Sequence, residues 1–188
     1  MAVVIRPVDE ALFDDVQTVF GTKGQAAHCQ CQGYRLNWYD QHSDNVSGRR
    51  ELLRDQVIEG HGLLAYLDGE PVGWCSVAPR RDYGYLRQTT WKGRAEDKAD
   101  PGVWAVTCLV VRAGYRRQGV SHALVAATVD LARAGGARCL EGYPMKPAPG
   151  KEVTWGELHV GKLNSFLAAG FQVVHEPSLR RAVVRYDF

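Results

Sequence analysis

The sequence carries almost no charge excess: 23 Lys and Arg stand against 21 Asp and Glu, a net charge of +2. That balance argues against a dedicated nucleic-acid binder, which needs a basic surplus on one face. No apolar run approaches the roughly 20 residues of a membrane-spanning helix. No repeat, low-complexity tract or linker composition divides the chain. Cysteine is sparse and odd in number, five among 188 residues, which excludes a disulfide scaffold and fits reduced thiols in a cytoplasm. The opening Met1-Ala2-Val3-Val4-Ile5-Arg6-Pro7 lacks the basic start and small-residue cleavage site of a signal peptide, again an expectation of the cytoplasm. What remains is ordinary: 45% hydrophobic and 23% charged residues exclude disorder. The expectation is one domain over residues 1–188, large enough to bury a core and handling a small molecule.

Local patterning predicts a mixed α/β fold. Val3–Pro7 reads as a first strand, and Leu12, Phe13, Val16, Val19 and Phe20 follow at helical spacing. A second helix is predicted over 47–59, with Leu52, Leu53, Val57 and Ile58 on one face and Gly60 as its stop. Two apolar runs around Asp68-Gly69 predict a hairpin over 62–78. Residues 79–102 mix Arg80, Arg81, Arg87, Lys92, Arg94 and Lys98 with acids and aromatics, the pattern of a solvated excursion, lid or subunit contact. Trp104–Val111 is nearly all apolar, a strand buried on both faces. The helix predicted over 118–134 has Val120, Ala123, Leu124, Ala127, Leu131 and Ala134 as its stripe and ends at Gly135-Gly136. A short strand at 139–143, a loop with Pro144, Pro147 and Pro149, a helix over 160–169 and strands at 171–175 and 181–186 complete the pattern.

The sharpest feature is the junction Leu109-Val110-Val111-Arg112-Ala113-Gly114-Tyr115-Arg116-Arg117-Gln118-Gly119-Val120-Ser121, joining a buried strand to an amphipathic helix. Such a junction presents unpaired backbone N–H groups at the positive end of the helix dipole, a ready anion site. Gly119 admits close approach, small Ser121 leaves the turn open, and Arg116 and Arg117 add charge. The spacing matches neither the dinucleotide-fold glycines nor a P-loop.

Arg116-x-x-Gly119-x-Ser121, preceded by Leu109-x-Val111-x-x-x-Tyr115, resembles the acyl-CoA motif of the GNAT N-acetyltransferase superfamily. Ser121 stands where glycine or alanine is usual, and Ala113 where proline is common. Phe166-Leu167-Ala168-Ala169-Gly170-Phe171 is similar to the family's late helix running into a Gly-Phe strand start. The resemblance implies a mostly antiparallel twisted α/β sheet of six or seven strands flanked by about four helices. Two central parallel strands would splay in a V. It further implies acetyl-CoA as acyl donor. The main chain across Gln118, Gly119, Val120 and Ser121, with Arg116 and Arg117, would hold the pyrophosphate. The backbone of Leu109, Val110 and Val111 would pair with the pantetheine arm, and an N–H near Val110 or Val111 would polarise the thioester carbonyl.

The family's usual catalytic groups are missing. Trp104–Cys108 holds no carboxylate, Phe166 occupies the customary tyrosine position, and His159 stands at the helix-start asparagine position. Substitutes each have two readings. Glu141 is a general base or the partner of an arginine. Tyr143 is a proton donor or a packed aromatic. His159 is a base acting through water or a helix cap, and Cys108 a nucleophile or inert packing. Tyr34 and Trp38, in an aromatic segment, either bind the acceptor amine or pack a loop. His28-Cys29-Gln30-Cys31 resembles half a metal site but lacks a second pair at zinc spacing, so no metal is expected. The predicted activity is transfer of an acetyl group to a primary amine of a small molecule or peptide by direct attack. The alternative is an acyl-CoA sensor without turnover. No nucleic-acid or membrane partner is expected, and the protein would be a monomer or homodimer.

Overall fold

The computed structural model describes residues 2–86, 88–147, 150, 154 and 156–188, with the backbone alone for 88 and 89. Arg87 of the predicted excursion and Pro149 of the predicted loop lie outside the described residues. Seven strands form one sheet: β1 (Val3–Pro7), β2 (Gly62–Leu67), β3 (Glu70–Pro79), β4 (Val103–Val111), β5 (Cys139–Gly142), β6 (Gln172–Ser178) and β7 (Arg181–Asp187). Their order is β1-β2-β3-β4-β5-β7-β6, and only the β4–β5 pair is parallel. The helices are α1 (Phe13–Phe20), α2 (Gly24–Cys29), α3 (Trp38–His42), α4 (Val46–Ile58), α5 (Val120–Ala134) and α6 (Leu163–Ala168).

One sheet face packs Trp104, Val106 and Leu109 against Val120, Leu124, Val125 and Val129 of α5 and Phe166 of α6. The opposite face packs Leu64, Tyr66 and Trp74 against Phe13, Val16 and Phe20 of α1 and Leu53 and Val57 of α4. The β2–β3 hairpin turns as its sequence requires, with Asp68 at φ 51° and Gly69 at φ 86°. Two successive positive φ angles are what a tight two-residue hairpin demands.

Several helical expectations need correction. The inward face of α4 is Arg49, Leu53, Gln56 and Val57, whereas Leu52 is 43% and Ile58 52% exposed. Adjacent residues lie about 100° apart on a helix, so Leu52-Leu53 and Val57-Ile58 cannot both face inward. Arg49 takes a buried position because its guanidinium donates to the carbonyls of His28, Asp40 and Ser43, tying α4 to the loops around α2 and α3. On α5 the buried stripe runs Val120, Leu124, Val125, Thr128, Val129 and Ala132, while Ala134 is exposed. The helix predicted over 160–169 is two pieces: a 3-10 turn at Glu157–Val160, then Gly161 at φ 82°, then α6. The short α2 and α3 were not anticipated. Asn37 caps α3 by accepting from the Asp40 N–H.

The feature that positions the site is the parting of β4 from β5. Their pairing runs only from Val103↔Cys139 to Val106↔Gly142, after which β4 continues alone to Val111. On its other edge β4 pairs with β3 with a register shift: Val77 faces Val106 and Ser76 faces Cys108, leaving Thr107 as an extra residue. Such a bulge adds twist and re-aims the strand. At the parting point Gly142 lies under Phe166, and a Cβ there would overlap the ring. Gly142→Ala is therefore expected to destabilise the protein by about 1–3 kcal/mol, read from its urea midpoint. An unchanged midpoint would show that Phe166 is not pressed onto the strand.

Candidate active site

Four groups of residues converge around the parted strands. The first is the turn from β4 into α5. Gly119, at φ 81°, is the residue before α5, and no side chain caps the helix. The first intrahelical bond runs from the Ala123 N–H to the Gly119 carbonyl, so the N–H groups of Val120, Ser121 and His122 have no partner within the helix. Nothing lies within 4 Å of the position a Gly119 Cβ would take. Arg116, Arg117 and Gln118 are exposed, and Val120 is buried and anchors the turn. Arg116 Nε donates to the Val111 carbonyl and Gln118 Nε2 to that of Gly114, drawing the turn back onto the strand end. Arg117 adopts a left-handed φ of 63°, costly for a non-glycine residue. This geometry fits a pyrophosphate.

The second group is the edge of β4 itself. Leu109 is buried, Val110 and Val111 are partly so, and their stretch lies beyond the last rung with β5. An extended chain of amide groups laid in this gap meets an available strand edge.

The third group lies in a cleft lined by Tyr34, Leu86, Thr90, Tyr143, Pro177, Arg181, Ala182 and Val183. Tyr34 comes within 3.3 Å of His159 Nε2 through its hydroxyl, although 125 residues separate them. His159 Nδ1 lies 2.5 Å from the Gly156 carbonyl oxygen. A carbonyl only accepts, so Nδ1 carries the proton and Nε2 accepts from Tyr34. The structure thus brings together one predicted substrate residue and one predicted catalytic residue. Trp38 is not part of this cleft: it is 66% exposed on α3 and stacks on His42 at 4.6 Å.

The fourth group surrounds Glu141, on the rung opposite Ala105. Its carboxylate is wholly buried, with Oε2 accepting from Arg80 (3.1 Å) and the Tyr143 hydroxyl (2.9 Å). Oε1 accepts from Arg94 (2.5 Å) and Arg185 (2.6 Å). Four donors occupy the lone pairs of both oxygens. Of the two readings open for Glu141, the geometry realises the arginine pairing, and threefold. Burial pushes its pKa up, but Arg185, Arg94 and Arg80 more than offset this and hold it below the usual 4.5. Burial and the adjacent Glu141 push the Tyr143 hydroxyl well up, so it stays protonated.

The excursion over 79–102 supplies two of the four donors to Glu141 and is solvated only in part, most of 92–101 being exposed. Arg80, Tyr83 and Leu86 are buried, the Arg94 side chain is 5% exposed, and the Trp91 ring gathers Arg80, Arg94 and Lys98 within 5.3 Å. Sequence reasoning missed Arg80, Arg94 and Arg185 as partners of Glu141. The one signal was a lone carboxylate in an apolar strand, which demands a cation from somewhere.

All five cysteines are free thiols. Cys29 accepts from Gln41 and Cys31 from Trp74, while His28 lies against Arg49. Among the described residues no group of three or more His, Cys, Asp or Glu is placed to hold a metal ion.

Comparison with known proteins agrees with this geometry. The model of the acetyltransferase (GNAT) family matches residues 27–143, more than half of the chain. The chain belongs to the GNAT acetyltransferase family. A search of curated proteins by sequence found no match. Among solved structures, the GNAT fold is shared with the PaiA N-acetyltransferase of Thermoplasma acidophilum in complex with coenzyme A. That pair has a TM-score of 0.55 and 11% identity over 100% of both chains. The ribosomal-protein-alanine N-acetyltransferase of Brucella melitensis gives 0.55 and 15%, over 98% of this chain and 99% of that one. The aminoglycoside acetyltransferase AAC(6′)-Ib with coenzyme A gives 0.57 and 17%, over 99% and 95%. The expected fold is therefore present, with seven strands and six α-helices among the described residues.

The Glu141 cluster yields a stability prediction. Glu141→Gln leaves the three guanidinium groups with only the more exposed Glu96 as a carboxylate partner and should cost about 3–5 kcal/mol in denaturant unfolding. Because the folded pKa is depressed below 4.5, the wild-type contribution is full above that value and lost as pH falls through the folded pKa. The deficit of the variant should therefore shrink in acid. A variant as stable as wild type at neutral pH would show that the cluster contributes nothing.

Proposed function

We propose that this GNAT protein transfers an acetyl group from acetyl-CoA to a primary amine by direct attack. The observation that carries this reading is continuity. The open turn at Gly119 follows directly on the β4 edge beyond its last rung with β5, and Tyr34, which lines the cleft, meets His159 at 3.3 Å. On this reading the N–H groups of Val120 and Ser121, with Arg116 and Arg117, hold the pyrophosphate. The backbone of Leu109–Val111 pairs with the pantetheine arm. A main-chain N–H near Val110 or Val111 faces the thioester carbonyl and stabilises the charge that develops on its oxygen.

The attacking nitrogen must lose a proton. Glu141 has no lone pair to spare, so Tyr34 and His159 take that role: the Tyr34 hydroxyl passes its proton to Nε2 as it receives one from the amine. Tyr143 stays protonated, but its hydroxyl is committed to Glu141, so the thiolate, a weak base, leaves without it. Among the described residues lining the cleft the one charged side chain is Arg181, and no carboxylate is present. We place the protein in the cytoplasm, where its thiols stay reduced. No described helix is long and apolar enough to cross a membrane.

A second reading, an acyl-CoA-binding module without turnover, draws on the buried Phe166 at the family's tyrosine position and on the absence of a carboxylate in Trp104–Cys108. The two differ in product. The transferase releases CoA only when an amine is supplied; the module never does.

Calorimetric titration with acetyl-CoA is expected to saturate for wild type and to vanish for Gly119→Glu, which sets an anion in the phosphate turn. Absence of binding by the folded wild type would overturn the donor assignment. Given a competent amine, His159→Gln and Tyr34→Phe should each lower kcat by about 10²–10⁴-fold with acetyl-CoA affinity retained. Unchanged kcat in both would remove them from catalysis.

A further inference from the structure

His159 meets Tyr34 from a segment with little structure of its own. Glu157–Val160 is a single 3-10 turn, a form that stays short because its hydrogen bonds are poorly aligned. The N–H groups of Glu157 and Leu158 reach the Thr154 carbonyl at 3.1 and 3.3 Å, and that of Gly161 reaches the Leu158 carbonyl at 2.8 Å. Val160 is buried, whereas Glu157, Leu158 and His159 are only partly so. Packing fixes the C-terminal end of the turn. Gly161, at φ 82°, has no room for a Cβ between Leu109 of β4 and Phe166 of α6.

Side chains hold the other end. Glu157 Oε2 accepts from the Thr154 N–H at 3.0 Å and from the Thr154 hydroxyl at 3.1 Å. A carboxylate reaching back three residues to a backbone N–H is one half of a capping box. The same carboxylate meets Arg180, whose Nη2 lies 3.0 Å from Oε1 and 3.1 Å from Oε2. Arg180 sits in the turn between β6 and β7, its carbonyl accepts from the Lys146 N–H, and the next residue is Arg181 of the cleft wall. Glu157 thus joins the turn bearing His159 to the hairpin that walls the cleft. The hydrogen bonds from the Thr154 backbone and then from Arg180 hold the Glu157 carboxyl down at about 2, so it is charged across the neutral range.

His159 needs such a hold. Its Nδ1 must stay on the Gly156 carbonyl for Nε2 to face Tyr34 as an acceptor. Gly156 immediately precedes Glu157, so rotation of the turn about that end would carry both ring nitrogens off their partners. Arg180 and Glu157 are 28% and 32% exposed in their side chains, and pairs this open add little to global stability. We propose that Glu157 and Arg180 are positioning residues for His159: their ion pair fixes the turn so that the imidazole keeps its proton on Nδ1 and offers Nε2 to Tyr34. Neither touches the reacting atoms. The catalytic consequence rests on the function proposed above; the effect on the imidazole does not.

The test reads the tautomer directly. In 15N-labelled protein, long-range 1H–15N spectra separate Nδ1 from Nε2, and the His159 signals are those missing from His159→Gln. Wild type should show Nδ1–H. Arg180→Met and Glu157→Gln should each show a mixture of both tautomers at a nearly unchanged urea midpoint, and Arg180→Lys, which keeps the cation, should restore Nδ1–H. A wild type without Nδ1–H overturns the proposal, as does an unchanged tautomer in either charge-removing variant. Loss of the fold in both overturns it too, because the pair would then be structural. Given a competent amine, kcat should fall about 10–100-fold in the two variants, with KM for acetyl-CoA unchanged and Arg180→Lys recovering the rate. A changed tautomer with unchanged kcat would instead fall on the proposed role of His159 and leave the positioning standing.

Discussion

Everything at this site depends on a pairing that stops early. β4 and β5 share a short parallel ladder ending at Val106↔Gly142, and the next stretch of β4 faces an opening. Buried backbone groups without partners are expensive, so neighbouring strands part only where something forces them. Here Phe166 of α6 lies over Gly142, and the chain beyond β5 bends away to bridge through Met145 to both Lys162 and Arg181. The Thr107 bulge twists β4 in the same region. The parted edge is thus imposed from both sides, and it points toward the open N-terminus of α5.

Glu141 explains how the opening keeps its shape. It sits on the rung before the last, and its carboxylate gathers Arg80 and Arg94 from the excursion and Arg185 from β7. A buried charge of this kind adds little net stability compared with an apolar residue, but removing one partner strands the others. Its effect is positional. The excursion is clamped onto the sheet, which places Leu86 and Thr90 in the cleft wall. A loop that looks solvated by composition becomes a wall because one carboxylate holds two of its arginines.

What was legible in the sequence was local. The β4–turn–α5 junction, the Asp68-Gly69 hairpin and the order of the strands follow from signals spanning a few residues, and all are present. The open turn before α5 was legible for the same reason: its free N–H groups follow one glycine at the helix start. Long-range pairings were not legible. Glu141 meets Arg80, Arg94 and Arg185 across 61, 47 and 44 residues, and Tyr34 meets His159 across 125. Helix faces failed differently. In Leu52-Leu53 and Val57-Ile58 two apolar neighbours compete for one inward direction, and periodicity cannot choose between them. The decision came from Arg49, whose guanidinium satisfies three carbonyls around α2 and α3.

The charge around the cleft bears on how weak a base can suffice. A pocket rich in carboxylates binds an amine as its ammonium and raises its pKa, so a strong base is then needed to free the nitrogen. On the proposed function this cleft works in the opposite sense. Glu141 is already neutralised by arginines, and Arg181 leaves the lining net positive among the described residues. Desolvation and like charge both favour the neutral form of an entering amine. On the proposed function, the environment would lower the amine's pKa before any side chain acts, and Tyr34 and His159 would accept a proton already loosened. On this account the carboxylate missing from β4 is not a gap that another carboxylate must fill. The arginines that pin Glu141 shape the wall, and on the proposed function Glu141 need not act as the base.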